Sequence, residues 1–280
     1  MRRLFIYFFF HLIANTIVHG QSIRSSMAAP IAQLLTYSSV HHSPFNMVAN
    51  QAVLARFDNF SGAVYGEKRF ALKELSQYTG IISFPTSSGN FGVSVDHFGD
   101  LPYNETGVGL AYGRQLSEMI DIGVQFNYYN FQTQGYGSAS SINVEGGILF
   151  HLSEIFKAGF HIYNPGGSKI GKEVTESLPS VYSAGFGYDL TQKVFIGASI
   201  EKMEGQPLNL NAGVHYYFED KLSACGGINS ANSSYFIGFG VLVKNLRLDI
   251  IASMHPQLGI SPGLLLTFSP PPKAQSNNNE

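Results

Sequence analysis

The segment Ile120–Gln132 of this 280-residue chain, with the sequence IDIGVQFNYYNFQ, indicates most clearly how the chain folds. Apolar side chains stand at positions 120, 122, 124, 126 and 128, and the positions between them are polar or glycine. A period of two predicts a β-strand with one apolar face and one polar face. Segments of this kind recur along the chain with turn residues between them, which indicates a closed sheet with lipid outside and water inside.

The amino terminus has the pattern of an export signal. Arg2 and Arg3 give a basic start, residues 4–17 are mainly apolar, and residues 18–20 precede an expected cleavage site near Gln21. The apolar run is too short for a comfortable transmembrane helix. We therefore predict a signal peptide over residues 1–20 and, because no cysteine stands at the cleavage point, no lipid anchor.

The composition narrows the class of protein. Charged residues make up 13% of the chain, against about a quarter in soluble domains. The 22 Phe, 15 Tyr and 30 Gly residues suit strands with an aromatic outside and a close-packed inside. The formal net charge of −2 argues against a nucleic-acid partner. Cys225 is the only cysteine, which excludes an intramolecular disulfide.

Alternation and turn signals together predict fourteen strands. Their approximate positions are 59–67, 76–84, 90–98, 104–114, 119–132, 139–151, 155–163, 180–189, 193–203, 207–218, 221–229, 233–243, 245–254 and 258–268. The expected fold is all-β, a 14-stranded antiparallel transmembrane β-barrel with a short N-terminal lumenal plug. Its parts would be the signal peptide, a plug segment over 21–58, the barrel over 59–268 and a disordered periplasmic tail over 269–280.

The connections between the predicted strands suggest an orientation. The even-numbered connections are nearly all tight, whereas the odd-numbered ones are on the whole longer, and the seventh, Asn164 to Pro179, is the longest. Outer-membrane barrels have short periplasmic turns and longer outer loops. We therefore predict a bacterial outer-membrane location with both termini in the periplasm. An aromatic girdle is expected on that side, formed by Phe84, Phe91, Tyr112, Phe150, Phe156, Tyr188, Tyr216 and Phe268.

Polar side chains fall on the inward face once the phase of each strand is set. The candidate lumen residues are Asp121, Gln125, Asn127, Glu145, Lys157, His161, Glu201, His215, Arg247 and Asp249, and the candidate plug residues are Asn50 and Gln51. No charge falls on the lipid face in the middle of the well-phased strands, where it would cost about 2–4 kcal/mol. The lumenal charges could line an ion path, but a network that stiffens the wall is the favoured interpretation.

Many glycines share this inward face. They are Gly92, Gly107, Gly109, Gly113, Gly123, Gly147, Gly159, Gly185, Gly187, Gly197, Gly213, Gly238, Gly240, Gly259 and Gly263. Either another backbone approaches the wall there, or glycine only eases strand curvature. Residues 21–58 are the candidate for such an approach, because they are too long and too apolar for a solvated tail. We expect this segment to fold into the periplasmic half of the lumen and narrow or close it.

Two short motifs resemble a known family. Residues 49–55, ANQAVLA, resemble the Asn-Pro-Ala-x-Leu-Ala element of FadL-type barrels and of their Bacteroidota relatives PorV and PorQ, with Gln51 in place of the usual proline. Residues 255–259, HPQLG, followed by an apolar strand, resemble the end of the PorV/PorQ group. The number of predicted strands is also that of the FadL architecture.

The resemblance implies one of two non-catalytic roles. FadL proteins carry hydrophobic molecules through an N-terminal hatch and an opening in the wall, whereas PorV-like proteins act with a larger translocon in type IX secretion. The small outer loops leave little surface for capturing a ligand, so the first hypothesis is an accessory subunit of an outer-membrane protein complex. The PorV/PorQ resemblance implies that this complex is type IX secretion, and another envelope machine such as barrel assembly is the other option. The alternative is a FadL-like channel for small hydrophobic substrates.

Enzymatic and metal-binding interpretations are weaker. His41 and His42 are adjacent but lack a third ligand at a suitable spacing. His161, His215 and His255 face inward without an outward serine partner, so a lipid hydrolase is not expected. We predict no catalytic residues, no metal and no cofactor. The expected partners are outer-membrane lipid and other outer-membrane or periplasmic proteins of a multi-subunit machine.

Overall fold

The computed structural model describes residues 30–171, 176–219, 221–230 and 233–270. The predicted signal peptide, the start of the plug segment and most of the predicted tail lie outside these residues. Within them, no helix is long and apolar enough to cross a membrane. The wall consists of fourteen long strands: β1 (Ser61–Lys68), β2 (Ser76–Thr86), β3 (Gly89–Asp100), β4 (Tyr103–Ser117), β5 (Ile120–Thr133), β6 (Gly137–His151), β7 (Phe156–Tyr163), β8 (Val181–Thr191), β9 (Val194–Met203), β10 (Leu208–Phe218), β11 (Leu222–Asn229), β12 (Ser234–Val243), β13 (Leu246–His255) and β14 (Gly259–Phe268).

These strands form one closed antiparallel barrel, which confirms the predicted fold. Each strand pairs with its neighbours in the sequence, and β1 pairs with β14 to close the ring. The closing register runs from Gly62 opposite Phe268 to Glu67 opposite Gly263. Closure leaves no strand edge exposed, so backbone hydrogen bonds are satisfied within the wall.

The pairing of β14 changes at a proline. β14 keeps its register with β13 across Pro262, which lies opposite Ala252. Its pairing with β1 ends at Gly263, the next residue. Proline has no N–H to donate. The hydroxyl of Ser261 instead accepts a hydrogen bond from the backbone N–H of Phe70, in the connection after β1.

The two ends of the barrel differ. We call the end where β1 begins and β14 finishes the terminal end, and the opposite end the loop end. Connections at the terminal end have two to four residues. At the loop end, only residues 69–75 and 164–180 are longer than four residues, and the connection between β3 and β4 has two. The expectation of generally longer odd-numbered connections therefore holds for only two of seven.

The outer surface of the wall is an apolar belt. Ile142 is 67% exposed while the next residue, Asn143, is 2% exposed, so the strand alternates between outside and lumen as its sequence pattern predicts. Phe160, Phe239 and Ile250 are likewise more than half exposed. Exposed apolar side chains over a whole wall match a lipid environment rather than water. The aromatic residues of the predicted girdle all lie near the terminal end.

The longest connection, residues 164–180, folds back onto the wall. Its two short strands, Lys169–Ile170 and Glu176–Ser177, pair with each other. Asn164 holds the connection, because its Nδ2 donates to the Leu178 carbonyl and its Oδ1 accepts from the Ser168 backbone. The connection contributes two residues to a buried apolar cluster at the loop end, which consists of Tyr129, Phe131, Tyr163, Ile170, Leu178 and Val181.

We predict that the outer face tolerates charge only near its ends. Phe239 and Val243 both face outward on β12, Phe239 near the middle and Val243 at the last residue. Phe239→Arg should lower the free energy of unfolding in lipid vesicles by about 2–4 kcal/mol, and Val243→Arg by about 0–1 kcal/mol. Urea unfolding of the vesicle-inserted protein measures both values. Equal costs at the two positions would contradict a membrane-spanning belt.

Candidate functional site: the plugged lumen

Residues 30–57 lie inside the barrel and are called the plug below. The plug contains the helix α1 (Pro30–Leu35) and two 3-10 helices, Pro44–Val48 and Gln51–Arg56. Its apolar side chains form one core with inward residues of the wall. The buried core members are Ile31, Ala32, Leu34, Tyr37, Phe45, Met47, Ala52, Val53 and Leu54 from the plug, and Ala63, Tyr65, Ile81, Ala111, Leu149, Phe195, Phe236, Ile251 and Leu265 from the wall.

Inward glycines allow the plug to lie close to the wall. A Cβ atom at Gly123 would lie 2.3 Å from the Ala52 backbone nitrogen, and one at Gly147 would lie 2.0 Å from Asn50 Oδ1. At Gly185 it would lie 2.4 Å from the ring of Tyr37. Real Cβ atoms do not approach other atoms this closely, so any side chain there would displace the plug. At these positions the structure favours close approach over curvature alone.

Asn50 and Gln51 occupy the centre of this contact. Asn50 Nδ2 donates to the Phe160 carbonyl at 3.0 Å. Asn50 occupies the space that Gly147 leaves free of a side chain, and such a space is called a glycine gap below. Its Oδ1 accepts from the Ala52 backbone N–H at 3.0 Å and so caps the second 3-10 helix. Gln51 Nε2 donates to the Met47 carbonyl, a contact that the usual proline could not make. Both side chains are fully buried.

Arg56 and Asp121 anchor the end of the plug. Arg56 Nε lies 2.8 Å from Asp121 Oδ2, and the Arg56 guanidinium also donates to the Glu118 carbonyl. His151 Nε2 lies 2.5 Å from the same carboxylate oxygen of Asp121. Nearby, Asn90 Nδ2 donates to the carbonyls of Leu54 and Phe57, at 2.6 and 2.7 Å.

Asp189 and Lys157 hold the opposite side of the plug. The carboxylate of Asp189 accepts from the Ser38 hydroxyl at 2.7 Å and from the Ser39 backbone N–H at 2.6 Å. Lys157 Nζ donates to the Ser38 carbonyl at 3.0 Å. These hydrogen bonds give the charged groups of Asp189 and Lys157 partners in the plug, as buried charges require.

His41 of the plug lies in a cluster of rings and charges on the wall. Its ring stacks on Tyr217 with centroids 4.0 Å apart, and the His215 ring lies 5.9 Å away. The Arg247 guanidinium lies 4.7 Å from the centroid of Tyr217. Arg247 also binds Asp249 through its Nε at 2.9 Å and donates to the Ser223 hydroxyl.

Both plug histidines are held neutral by their surroundings. Burial lowers the pKa of His41 to about 4, with Asp189 opposing this shift and Arg247 adding to it. Burial also lowers the pKa of His42 to about 4, and the nearby Lys157 acts in the same direction. Each ring has one buried nitrogen without a hydrogen-bond partner among the described residues. An extra proton on these nitrogens would therefore find no acceptor.

A cavity lies above the plug, in the half of the lumen toward the loop end. Plug residues Tyr37, Phe45 and Val48 contribute to its lining, and the strand halves nearer the loop end form its walls. Arg69, from the connection after β1, lines it from the loop end, and its guanidinium lies 5.2 Å from the ring centroid of Phe98. Burial lowers the pKa of Arg69 to about 10, while Glu67 and Glu105 oppose that shift.

Glu145 connects the cavity to a polar network in the wall. Its Oε1 accepts from Asn127 Nδ2 at 2.7 Å and from Gln125 Nε2 at 3.0 Å, and its Oε2 lies 3.0 Å from His161 Nε2. Asn127 also donates to Asn143, which extends the network along β6. An ionised carboxylate accepts but does not donate, so these donors suit a charged Glu145.

The structure divides the predicted site residues into three groups. Asn50, Gln51, Asp121 and Lys157 lie at the plug contact. Gln125, Asn127, Glu145, His161 and Glu201 lie at or beside the cavity, and His215, Arg247 and Asp249 form the cluster around Tyr217. Asp189, whose carboxylate accepts hydrogen bonds from the plug, was not among the candidate residues.

Several residues that hold the plug or line the cavity were not predicted from the sequence. Arg69 lies in a connection rather than a strand, so its inward position carries no alternation signal. Ser38 and Arg56 belong to a segment without regular periodicity. Asn90 stands at the second residue of β3 in the inward phase, and its position could have been found from the alternation that follows it.

Solved structures show which architecture this is, although no family model and no curated protein matches the sequence. A structure titled CymD monoaromatic hydrocarbon channel matches with a TM-score of 0.58 at 8% identity, covering 84% of this chain and 98% of that chain. A Pseudomonas aeruginosa FadL homologue matches with a TM-score of 0.58 at 12% identity, covering 83% and 95%. The P. putida toluene transporter TodX matches with a TM-score of 0.57 at 9% identity, covering 83% and 95%.

The chain therefore has the fold of FadL-type outer-membrane barrels. Two of these structures are titled a monoaromatic hydrocarbon channel and a toluene transporter. At this level of identity the similarity establishes the architecture and leaves the PorV/PorQ resemblance as a hypothesis.

The glycine contacts predict which substitutions disturb the plug. Gly123→Ala places a methyl group against the backbone of Gln51 and Ala52, and should weaken plug packing by about 1–3 kcal/mol. Gly80→Ala, on an outward position with no atom within 4 Å of the new Cβ, is the matched control. Amide hydrogen exchange across residues 30–57 measures the effect. Equal exchange in the two variants would show that the plug does not need this gap.

The buried histidines predict weaker plug binding at low pH. A released plug has histidines of ordinary pKa near 6.5, which gain protons that the bound form refuses, so binding is strongest above pH 7 and weakens from about pH 6.5 toward pH 4. Hydrogen exchange in residues 30–57 should rise roughly thirtyfold per histidine between pH 7.5 and pH 5, after correction for intrinsic exchange.

His41→Gln and His42→Gln should each reduce this pH dependence, whereas His255→Gln at the loop end should leave it unchanged. His41 faces Asp189, Arg247, His215 and Tyr217, and His42 faces Lys157, His151 and His41. An unchanged pH profile in the double variant His41→Gln/His42→Gln would assign the response to the wall groups instead.

Proposed function

We propose that this protein is an outer-membrane channel for small, mainly apolar molecules, closed by the plug. The observation that carries the proposal is a cavity in the lumen whose floor is the plug. Below that floor, the plug packs against the inward side chains of the wall. Pockets with an apolar lining and a few polar groups are the usual form of a small-molecule site. The hydrocarbon channels with the same fold support this choice over the accessory role.

The way the plug is held suits a movable gate. Every hydrogen bond described between the plug and the wall involves a side chain, at Gln33, Ser38, Ser39, Asn50, Leu54, Arg56 and Phe57 of the plug. Among the described residues, no backbone–backbone hydrogen bond joins the plug to a strand. The plug can therefore shift without opening the strand pairing of the barrel.

The same proposal includes an orientation in the membrane. The apolar belt places the wall in lipid, and the tight connections at the terminal end match periplasmic turns. In this orientation the cavity faces the cell exterior and the plug separates it from the periplasm. A substrate would enter above the plug and leave when the plug moves.

An accessory subunit is the second candidate, and one observation favours it. Five of the seven connections at the loop end have two to four residues, so the rim offers little loop surface for capturing a ligand. A bare rim or side wall could instead contact another protein of an outer-membrane machine, such as type IX secretion. Under this hypothesis the plug is a structural core that never moves.

A disulfide lock tests the gate. In a Cys225→Ser background, Asn50→Cys and Gly147→Cys place two cysteines across the plug contact, where the residues already touch. Toluene entry into cells that expose this barrel in a lipopolysaccharide-bearing outer membrane should fall to the vector level after oxidation and recover after reduction. The control pair Ser61→Cys/Ser83→Cys, whose hydroxyls are 2.7 Å apart on β1 and β2, links two strands and should not respond.

The lock also separates the two candidates. Entry that exceeds the vector level and persists with an oxidised lock would show that molecules bypass the plug. Entry at the vector level for the unlocked protein, together with stoichiometric partners in a mild-detergent affinity purification, would replace the channel by the accessory role.

A further inference from the structure

We propose that the outer face of β4–β6, near the loop end, binds the uncharged sugars of a membrane glycolipid. This inference goes beyond the proposed channel and rests only on the orientation proposed with it, in which the loop end faces the cell exterior. The surface consists of six outward side chains and is called the neutral strip below. Its residues are Asn104, Thr106, Asn130, Gln132, Ser138 and Ser140.

The neutral strip is a regular array of hydrogen-bonding groups. Its two rows of register partners are Thr106–Asn130–Ser140 and Asn104–Gln132–Ser138. Neighbouring strands lie about 4.8 Å apart, and outward side chains follow one another about every 6.8 Å along a strand, so the array covers roughly 10 by 7 Å. Amides and hydroxyls at these spacings can bind several groups of one ligand at once.

The row directly below the neutral strip belongs to the apolar belt. Val108, Tyr128 and Ile142 are register partners on the same three strands, and all three are exposed on the outer surface. The outer face therefore changes from apolar to polar between one row and the next. This change places the neutral strip at the level of the lipid head groups, immediately above the acyl chains.

The opposite side of the barrel has no such surface. Tyr235, Met254 and Ile260 are register partners near the loop end of β12–β14, so the apolar face there continues almost to the ends of the strands. These three strands have 10 residues each, whereas β4, β5 and β6 have 15, 14 and 15. A membrane-spanning strand needs about 9–11 residues. The additional residues of β4–β6 therefore extend the wall above the lipid on one side only.

The extended part of the wall is supported from within. The pairing of β6 with β7 ends at Glu145, but the connection 164–180 continues beside β6. Ser141 Oγ, on the inner face, donates to the Lys169 carbonyl at 2.9 Å, and two residues of the connection belong to the buried apolar cluster at the loop end. A surface that is already rigid loses little conformational entropy when it binds a ligand.

The chemistry of the neutral strip matches sugar hydroxyls. Neither row contains Lys, Arg, Asp or Glu. A site for phosphate would use Arg or Lys, whereas amide and hydroxyl side chains donate and accept hydrogen bonds without charge. Tyr128 adds a ring at the lower edge, and its hydroxyl lies 2.9 Å from Ser140 Oγ. Tyrosine with Asn and Ser is a combination that binds polar ligands at surfaces.

The position of the neutral strip favours a glycolipid over a free saccharide. A molecule whose acyl chains contact Val108, Tyr128 and Ile142 carries its own sugars to the rows above them. This tethering raises the effective concentration of the sugars at the strip, and a dissolved saccharide has no equivalent advantage.

Two forms of lipopolysaccharide test the proposal. The rough form has a complete core oligosaccharide, whereas the deep-rough form lacks most of these sugars and keeps the acyl chains and lipid phosphates. Equal amounts of both are added to the full chain in detergent micelles, and native mass spectrometry measures how much of each is bound. The rough form should be bound roughly fivefold more, the effect expected of about one net hydrogen bond.

The double variant Asn104→Ala/Gln132→Ala should bind the two forms equally, because it removes both amides of the upper row. Gln257→Ala is the control, since Gln257 is an exposed amide at the loop end in the connection before β14, and it should keep the fivefold preference. Equal binding of both forms by the unmodified protein, or a preference that the double variant keeps, would overturn the proposal. A copurifying protein that is lost from the double variant would assign the strip to a protein partner instead.

The orientation is tested separately. Tyr136, at the tip of the connection between β5 and β6, is 91% exposed. Tyr136→Cys in a Cys225→Ser background should react with a membrane-impermeant maleimide added to intact cells. Reaction only after lysis would overturn the orientation, and the glycolipid as the ligand in the cell, whereas the disulfide lock would still report whether the channel works.

Discussion

Closure of the strand ring determines the other features of this structure. Lipid offers no partner for a free backbone N–H or C=O, so a sheet can cross a membrane only when its first and last strands pair. Here β1 and β14 meet in register, and this pairing creates an inside. Once an inside exists, side chains must alternate between lipid and lumen, and the polar residues of every strand are brought into one small volume.

The plug fills much of this volume. The wall fits the plug in two ways. It has no side chain at Gly123, Gly147 and Gly185, where the plug comes close. The charged groups of Asp189 and Lys157 make hydrogen bonds to the plug. Apolar packing supplies most of the contact, and the hydrogen bonds fix its position. The upper lumen contains the cavity, whose lining combines polar and aromatic side chains.

The sequence predicted the wall well and the site less well, for a physical reason. Alternation reports which way a strand residue points, so the inward placement of residues such as Glu145 and Asp249 could be predicted from periodicity alone. The plug has short helical turns whose contacts depend on three-dimensional approach, so the partner of Asn50 could not be read from its neighbours in the chain. Arg69 was missed because connections have no period. The accessory role, which the small outer loops favoured, has less support than the channel, because loop length carries no information about the lumen.

The glycine gaps in the wall have an evolutionary consequence. A residue of the plug and the glycine that faces it form a single steric unit, so bulk gained on one side must be lost on the other. Substitutions at Asn50 and Gly147, or at Tyr37 and Gly185, should accordingly be inherited as pairs among descendants of this gene, even though the partners are about a hundred or more positions apart in the chain. Drift at the lipid-facing positions, by contrast, is free to proceed one residue at a time.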